Sequence, residues 1–382
     1  MSLSEYRLAP TALMLGNFIT GTTILAPAGM LVELSRDLGV TIREASLLIT
    51  FGAAVLCIGS PLTAWLTSRI DRRVLLASTV AVMVVGNLAS AFTTSFAVLM
   101  ILRLLTLAVA VLYTPQAAGT IGLIAPPEKR GGLISYVFLG WSLAAAVGLP
   151  LVAYVSSHFG WRLAFGGIST LALIGLVLLL TQLPRGVAGV PIDLKAWGDV
   201  LRNPLILLLL VITCAQMAGQ FVVFTFMGPL LTRLAGASPE AVASVFAIYG
   251  AMGFVGNVIA SRVVDNWGAY RSSVTWMCAL LAGATIWALG AGILPAMFVG
   301  AAIWGLGFAS TNSMQQVRLV GAAPALAGAS VSLNTSSLYI GQGLGSAIGG
   351  ALFAREMYFA LGYTSVALIA FSIGILFLTR RG

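Results

Sequence analysis

The chain has 382 residues, of which 59% are hydrophobic and 8% charged, and its mean hydropathy is +1.02. Soluble proteins carry about 25% charged residues, so this chain cannot dress a water-facing surface; it is an integral membrane protein with almost no room for a soluble domain. The net charge of +9 is spread one to three basic residues at a time over separate short loops, a pattern of topology and lipid attraction that excludes the basic stripe of a nucleic-acid binder.

A spanning helix needs about 20 mostly apolar residues, and twelve such stretches follow one another along the chain. The first, 9–32, carries Asn17, Thr20 and Thr23; it is too long for a cleaved signal segment and shows no small-residue cleavage site. The second, 45–66, runs into the turn 64–73, which packs Arg69, Arg72 and Arg73 into five positions beside Asp71. Each arginine would cost roughly 2.5–3.5 kcal/mol at the centre of a membrane helix, so this turn lies outside the hydrocarbon. The third stretch is 74–93. The fourth, 96–119, holds Arg103, with Thr106, Ala110 and Tyr113 on its helical face. The fifth, 132–155, sets Gly140, Ala144 and Gly148 four apart, a small-residue stripe for close helix contact, and ends near the helix-breaking Pro150. The sixth is 162–182.

The stretch 183–203 is the one long polar connection and reads as a linker with a short amphipathic segment. Six more spans follow it. The seventh, 204–232, places Gln216, Gln220 and Phe224 at i, i+4 and i+8, on one face. The eighth, 239–261, carries Gly250, Gly253 and Gly256, the natural partner surface for the glycine stripe of the fifth. It enters a second basic loop, 261–268, with Asp265 and Gly268, about 197 residues after the first. The ninth is 272–291. The tenth, 295–317, holds Trp304, Phe308, Asn312 and Gln315; the eleventh, 327–352, holds Asn334 and Gln342; the twelfth is 363–379.

With both termini on the cytoplasmic side, that side holds 14 basic residues and the outer side 5, with Arg103 inside a helix. This bias obeys the positive-inside rule. The expected domains are an N-terminal six-helix bundle, 1–182, the cytoplasmic linker 183–203, and a C-terminal six-helix bundle, 204–382. Two parallel halves, each an inverted pair of three-helix units, is a plan of secondary transporters.

These residues resemble the major facilitator superfamily, within it the twelve-helix drug:proton antiporter and sugar-efflux branch. Residues 64–73 are similar to that family's loop signature Gly-x-Leu-Ala-Asp-Arg-x-Gly-Arg-Arg, matching at Leu66, Arg69, Arg72 and Arg73; Ser68 stands where the acid belongs and Asp71 where the second glycine belongs. The second copy keeps an acid at Asp265 and a glycine at Gly268. Arg103 resembles the family's fourth-helix arginine. The run from Gly140 to Pro150, followed by Gly160, Trp161 and Arg162, resembles the exporters' fifth-helix signature. Trp304 with Gly305, and the run 341–350, also follow the efflux branch. The resemblance implies an all-α membrane fold of two pseudo-symmetric six-helix bundles. It implies a monomer in the inner membrane that exports a small organic molecule (drug, sugar or metabolite) by alternating access in exchange for protons. Facilitated diffusion or import of a sugar, nucleoside or organic anion is the alternative; a membrane sensor lacks a soluble signalling segment.

The first helix of related exporters often carries a carboxylate, and the alignment places Ile24 near it. All eleven acids fall in loops or at helix ends. A neutral or anionic substrate therefore suits the chain better than a multivalent cation. An ionisable group inside a span is a functional candidate by default, so Arg103 is expected to bind a substrate group or gate a proton path, against the plainer role of clamping backbone carbonyls. Asn17, Thr20, Thr23, Thr106, Tyr113, Gln216, Gln220, Phe224, Trp304, Asn312, Gln315, Asn334 and Gln342 are the other candidate lining residues. Arg69, Asp71, Arg72, Arg73, Asp265 and Gly268 form a candidate inner-face switch, with Gly140, Gly148 and Pro150 serving packing or gating. Cys57, Cys214 and Cys278 read as packing residues, His158 as a wetted loop residue, and no metal cluster, phosphate loop or catalytic group is found.

Overall fold

The computed structural model describes residues 8–67, 70–187, 194–323 and 326–380, without side chains at 61, 63–65, 127–132, 135, 194–197, 265, 327 and 328. The described chain is helical throughout. Its elements are α1 (Ala9–Leu25), α2 (Leu31–Leu38), α3 (Ile42–Leu66), α4 (Arg72–Phe92), α5 (Phe96–Ala110), α6 (Tyr113–Ile124), α7 (Pro127–Leu143), α8 (Leu149–Phe159) and α9 (Trp161–Gln182). After the connection come α10 (Leu194–Arg202), α11 (Pro204–Phe224), α12 (Met227–Ala235), α13 (Pro239–Trp267), α14 (Ala269–Leu289), α15 (Leu294–Ala322), α16 (Ala327–Ala354) and α17 (Tyr358–Leu378). Among the described residues eleven segments are long and apolar enough to cross a membrane. The twelfth, α16, is 28 residues long; its amides, serines and glycines make it less apolar.

Several expected spans are broken, each for a local reason. The first divides at Pro27, where a 3-10 turn over Ala26–Gly29 links α1 to α2. The seventh divides in the same place of the second half, between α11 and α12. In the fifth, Pro150 withholds the N–H that would reach the carbonyl of Ala146, and the preceding turn, Ala144–Gly148, opens into a π-helix between α7 and α8.

Apolar side chains face outward and polar ones inward, as lipid requires. On α5, Ile101 and Leu105 are 58% and 62% exposed while Arg103 is 0% exposed. The nine helices before the connection pack mainly among themselves through α1, α4, α7 and α9. Those after it pack through α11, α13, α14, α15 and α16. The two sets meet along α3 against α16, and along α7, the π-turn and α8 against α13. Bonds across this seam include Thr50 Oγ1 with Ser346 Oγ at 3.0 Å, the Ser336 hydroxyl donating to the Cys57 carbonyl at 3.0 Å, and His158 with Glu240 at 2.9 Å. The last lies on the face away from the arginine-bearing loops. His158 is thus exposed at the outer end of the fifth span, as expected, but it belongs to the final turn of α8 and is bonded across the seam.

Candidate functional site

Arg103 sits where three helices converge. Its Nη1 donates to Asn87 Oδ1 of α4 at 3.1 Å, its Nη2 donates to the carbonyl of Thr23 on α1, and the guanidinium lies 5.2 Å above the Phe165 ring of α9. The Thr23 carbonyl is free to accept because its helical donor would be residue 27, a proline without N–H. Asn87 Nδ2 in turn donates to the Met83 carbonyl at 2.8 Å and to Thr23 Oγ1 at 3.3 Å. Arg103 is thus fully buried and tied to α1 and α4, its Nη2 supplying a donor where Pro27 removed one, while its Nε has no partner.

The rest of the predicted face on α5 and α6 is also turned into protein. Thr106 donates to its own helix at Leu102 and packs where Gly86 lacks a side chain. The buried Tyr113 fills the space left by Gly16, and its hydroxyl donates to the Leu13 carbonyl at 3.4 Å. Thr20 donates to the Gly16 carbonyl at 2.8 Å. Asn17 differs. Its Nδ2 donates to the Val137 carbonyl at 2.9 Å, while its Oδ1 accepts from Thr114, whose hydroxyl oxygen accepts from Trp141 Nε1, both at 2.8 Å. Thr114 and Trp141 are half-buried, and Trp141 packs in a small apolar cluster with Leu56 and, from the other half, Tyr339. Sequence reasoning missed Asn87, Thr114, Trp141 and Tyr339, although the Thr23-to-Pro27 spacing of four residues signals an acceptor in need of a donor.

The second half holds a denser set. Gln216 donates to Asn312 Oδ1 at 3.0 Å, Asn312 donates to the Phe308 carbonyl at 3.1 Å, and Thr213 donates to Asn334 Oδ1 at 2.7 Å. Gln342 is buried on α16. Next to these lie buried polar atoms without a partner: Oε1 of Gln216 and Gln220, both amide atoms of Gln315, Nε1 of Trp304 and the Tyr249 hydroxyl. Phe224, Trp304 and Phe308 surround Tyr249 at 5.2–5.9 Å, Trp304 edge to face and the two phenylalanines tilted. Buried polar groups in native proteins are almost always bonded, so orphaned amides beside aromatic faces are a site suited to an uncharged hydrogen-bonding ligand or ordered water.

The glycine stripe contradicts the expectation for it. A Cβ on Gly140 would fall 2.3 Å from the Met14 carbonyl and one on Gly148 2.3 Å from Thr22 Oγ1, so the stripe packs on α1. On α13, Gly256 faces Leu306 and Gly253 faces Gly305, both on α15; Gly250 alone of the three meets the fifth span, at Ala145 and Ala146. The small residues of the fifth span do share one face, with Gly21 of α1 meeting Ala144 between the two glycines, but that face is turned to α1 and not to α13.

At the basic loops, Asp71 caps α4 by accepting from the Val74 N–H at 3.1 Å. The Arg72 N–H donates to the Val187 carbonyl at 2.9 Å, and Arg73 donates to the Leu180 carbonyl, so these arginines tie the first half to itself. Arg69 lies outside the described residues, as does the side chain of Asp265 near the end of α13. Gly268 holds φ +78 between α13 and α14, a left-handed conformation that glycine adopts without strain. Arg318, missed as a candidate, donates to Thr379 Oγ1 at 2.6 Å and binds α15 to the end of α17. Among the described residues no cluster of metal-ligating side chains occurs.

Comparison with known proteins agrees with this architecture. The sequence profile of the Major Facilitator Superfamily matches residues 13–346. The inner membrane transport protein YdhP of Escherichia coli (strain K12) is 28% identical over 360 residues, covering 93% of this chain and 90% of that protein. A probable sugar efflux transporter of Mannheimia succiniciproducens is 28% identical over 363 residues, covering 93% and 89%. The crystal structure of peptide transporter POT in complex with sulfate superposes with a TM-score of 0.78 at 16% identity, covering 98% of this chain and 95% of that one. With an all-helical architecture among the described residues and a profile match over residues 13–346, the chain belongs to the Major Facilitator Superfamily.

Proposed function

We propose that this transporter exports a small, uncharged, polyhydroxylated or amide-bearing molecule by alternating access between its two halves, 1–182 and 204–382, joined by 183–203. The observation that carries the substrate class is the group of unpartnered amide, indole and phenol atoms on α11, α13 and α15, set against aromatic rings. Hydrogen-bonding sites favour ligands that satisfy their buried polar groups and reject those that leave them unpaired. In the first half the buried Arg103 already gives both terminal nitrogens to Asn87 and Thr23, which leaves only its Nε without a partner. Outward flux is supported by the name of the efflux relative and by the exporter-like fifth helix. Placement in the inner membrane is supported by the inner-membrane relative, and cytoplasmic termini by the arginine bias; we take the working unit to be a monomer.

A second reading, facilitated diffusion without proton coupling, is favoured by one feature: among the described residues every carboxylate stands at a helix end or in a loop. The test is purified protein in liposomes with labelled sugars, nucleosides and cationic dyes, with and without a pH gradient. Saturable movement of a neutral solute is expected, with Gln315→Leu raising KM about three- to tenfold, as loss of a hydrogen-bond partner does. Gradient-driven accumulation supports antiport; gradient-independent exchange supports the facilitator. A cationic dye carried in preference, with Gln315→Leu without effect, overturns the substrate class.

A further inference from the structure

The sole histidine of the chain joins the two halves. His158 belongs to the last turn of α8 and Glu240 to the first turn of α13, and Nε2 lies 2.9 Å from Oε1. A cation is favoured at a helix C-terminus and an anion at a helix N-terminus, so each partner carries the charge its own helix end prefers.

The other ring nitrogen fixes the protonation state. His158 Nδ1 lies 2.9 Å from the Tyr154 carbonyl and 3.0 Å from Ser157 Oγ. The Ser157 hydroxyl already donates to that same carbonyl at 2.9 Å, so both oxygens beside Nδ1 are acceptors. A ring whose two nitrogens each face an acceptor is satisfied as imidazolium, which donates from both. The ring also stacks on Tyr154, with centroids 4.2 Å apart.

The remaining charges nearby are committed elsewhere or lie deeper. From α9, Arg162 donates to Asp37 of α2, and Trp161 Nε1 donates to the same carboxylate at 3.0 Å. Arg36 of α2 lies near Glu33 of the same helix, while the buried Ser156 hydroxyl of α8 has no hydrogen-bond partner. Glu240 is the charged group from α13 that faces the ring.

We propose that His158 and Glu240 form a proton-operated latch: protonation of the ring ties α8 to α13 and favours closure of the face away from the arginine loops, and deprotonation releases it. The ligand is the proton itself, read on the face that the positive-inside bias assigns to the outside. The latch rests on alternating access between the halves and is independent of the substrate and of any coupling stoichiometry, so the test uses no substrate.

Spin labels on Thr94→Cys and Ile293→Cys, at exposed positions on that face in the first and second halves, report the opening. The background replaces Cys57, Cys214 and Cys278 by alanine, and the protein sits in lipid nanodiscs with equal pH on both faces. Between about pH 5.5 and about pH 8.5, which brackets the imidazole range, the closed-to-open ratio is expected to fall about threefold, the size of a partly exposed ion pair. His158→Gln and Glu240→Gln flatten the profile, and His158→Arg holds the closed ratio across the range. A parent profile without pH dependence, His158→Gln with the parent's dependence, or His158→Arg opening as the parent does overturns the latch.

Discussion

Replacing Asn87 by leucine leaves the Arg103 Nη1 without an acceptor inside a 0% exposed pocket, where a lost bond to a charged group costs about 1.5–3 kcal/mol. Asn87→Leu is therefore expected to lower the thermal unfolding midpoint in detergent while leaving KM for the substrate unchanged. Arg103→Lys is expected to do the same, because an ammonium lacks the planar fork that spans Asn87 and the Thr23 carbonyl. A raised KM in folded protein of either variant would restore Arg103 to the binding site. Glu33, in the short α2 outside the spans, offers a pH-dependent counterpart. Burial pushes its carboxyl above the ordinary 4.5, only partly offset by a backbone hydrogen bond and by Arg36. The folded state then holds this proton more tightly than the unfolded one, so its contribution is full below about pH 4.5 and is lost as pH rises through the raised value. Unfolding midpoints should decline over that rise, and Glu33→Gln should flatten the decline.

Between elements, the contrast of two glycines on α13 separates gating from stability. A Cβ on Gly250 would stand 2.3 Å from the Ala145 backbone in the other half, and one on Gly256 2.1 Å from the Leu306 carbonyl in its own half. Gly250→Ala is expected to push the halves apart at the π-turn and impair transport while sparing the unfolding midpoint. Gly256→Ala should lower that midpoint, since packed helices must shift, at a cost of about 1–3 kcal/mol. Equal losses of stability in both would remove the distinction. The same elements mark what the sequence makes legible. The apolar stretches are legible because hydropathy is a local quantity, and among the described residues eleven segments are long and apolar enough to cross a membrane. The partner of the small-residue stripe is not legible: four-residue spacing reports a shared face but not which helix covers it, here α1. Arg103 was recognised as special, yet its acceptors lie 16 and 80 residues away in sequence, beyond any periodicity. The amides on α11 and α15 were legible as a face of one helix, but their lack of partners emerges only when neighbouring helices are packed around them.

At the scale of the whole molecule, alternating access requires the seam between α3 and α16 to open and close as a unit. Thr50 and Ser346 face each other there, with hydroxyl oxygens 3.0 Å apart, and both side chains are short. Two cysteines so placed would bring their sulfurs, which sit where the hydroxyl oxygens now lie, within reach of the short S–S bond a disulfide needs. In a background without Cys57, Cys214 and Cys278, Thr50→Cys with Ser346→Cys is expected to cross-link under mild oxidation. Transport in liposomes should stop, and reduction should restore it. Each single variant should transport normally under the same oxidant, which separates locking from loss of the hydroxyl contact. The bond spans α3 and α16 but leaves the amide cluster of α11 and α15 untouched, so equilibrium binding from the arginine-loop side should survive cross-linking while turnover does not. Full turnover in protein shown by mass spectrometry to be completely cross-linked would mean that this seam stays shut through the cycle, and the two halves would then have to move about some other contact.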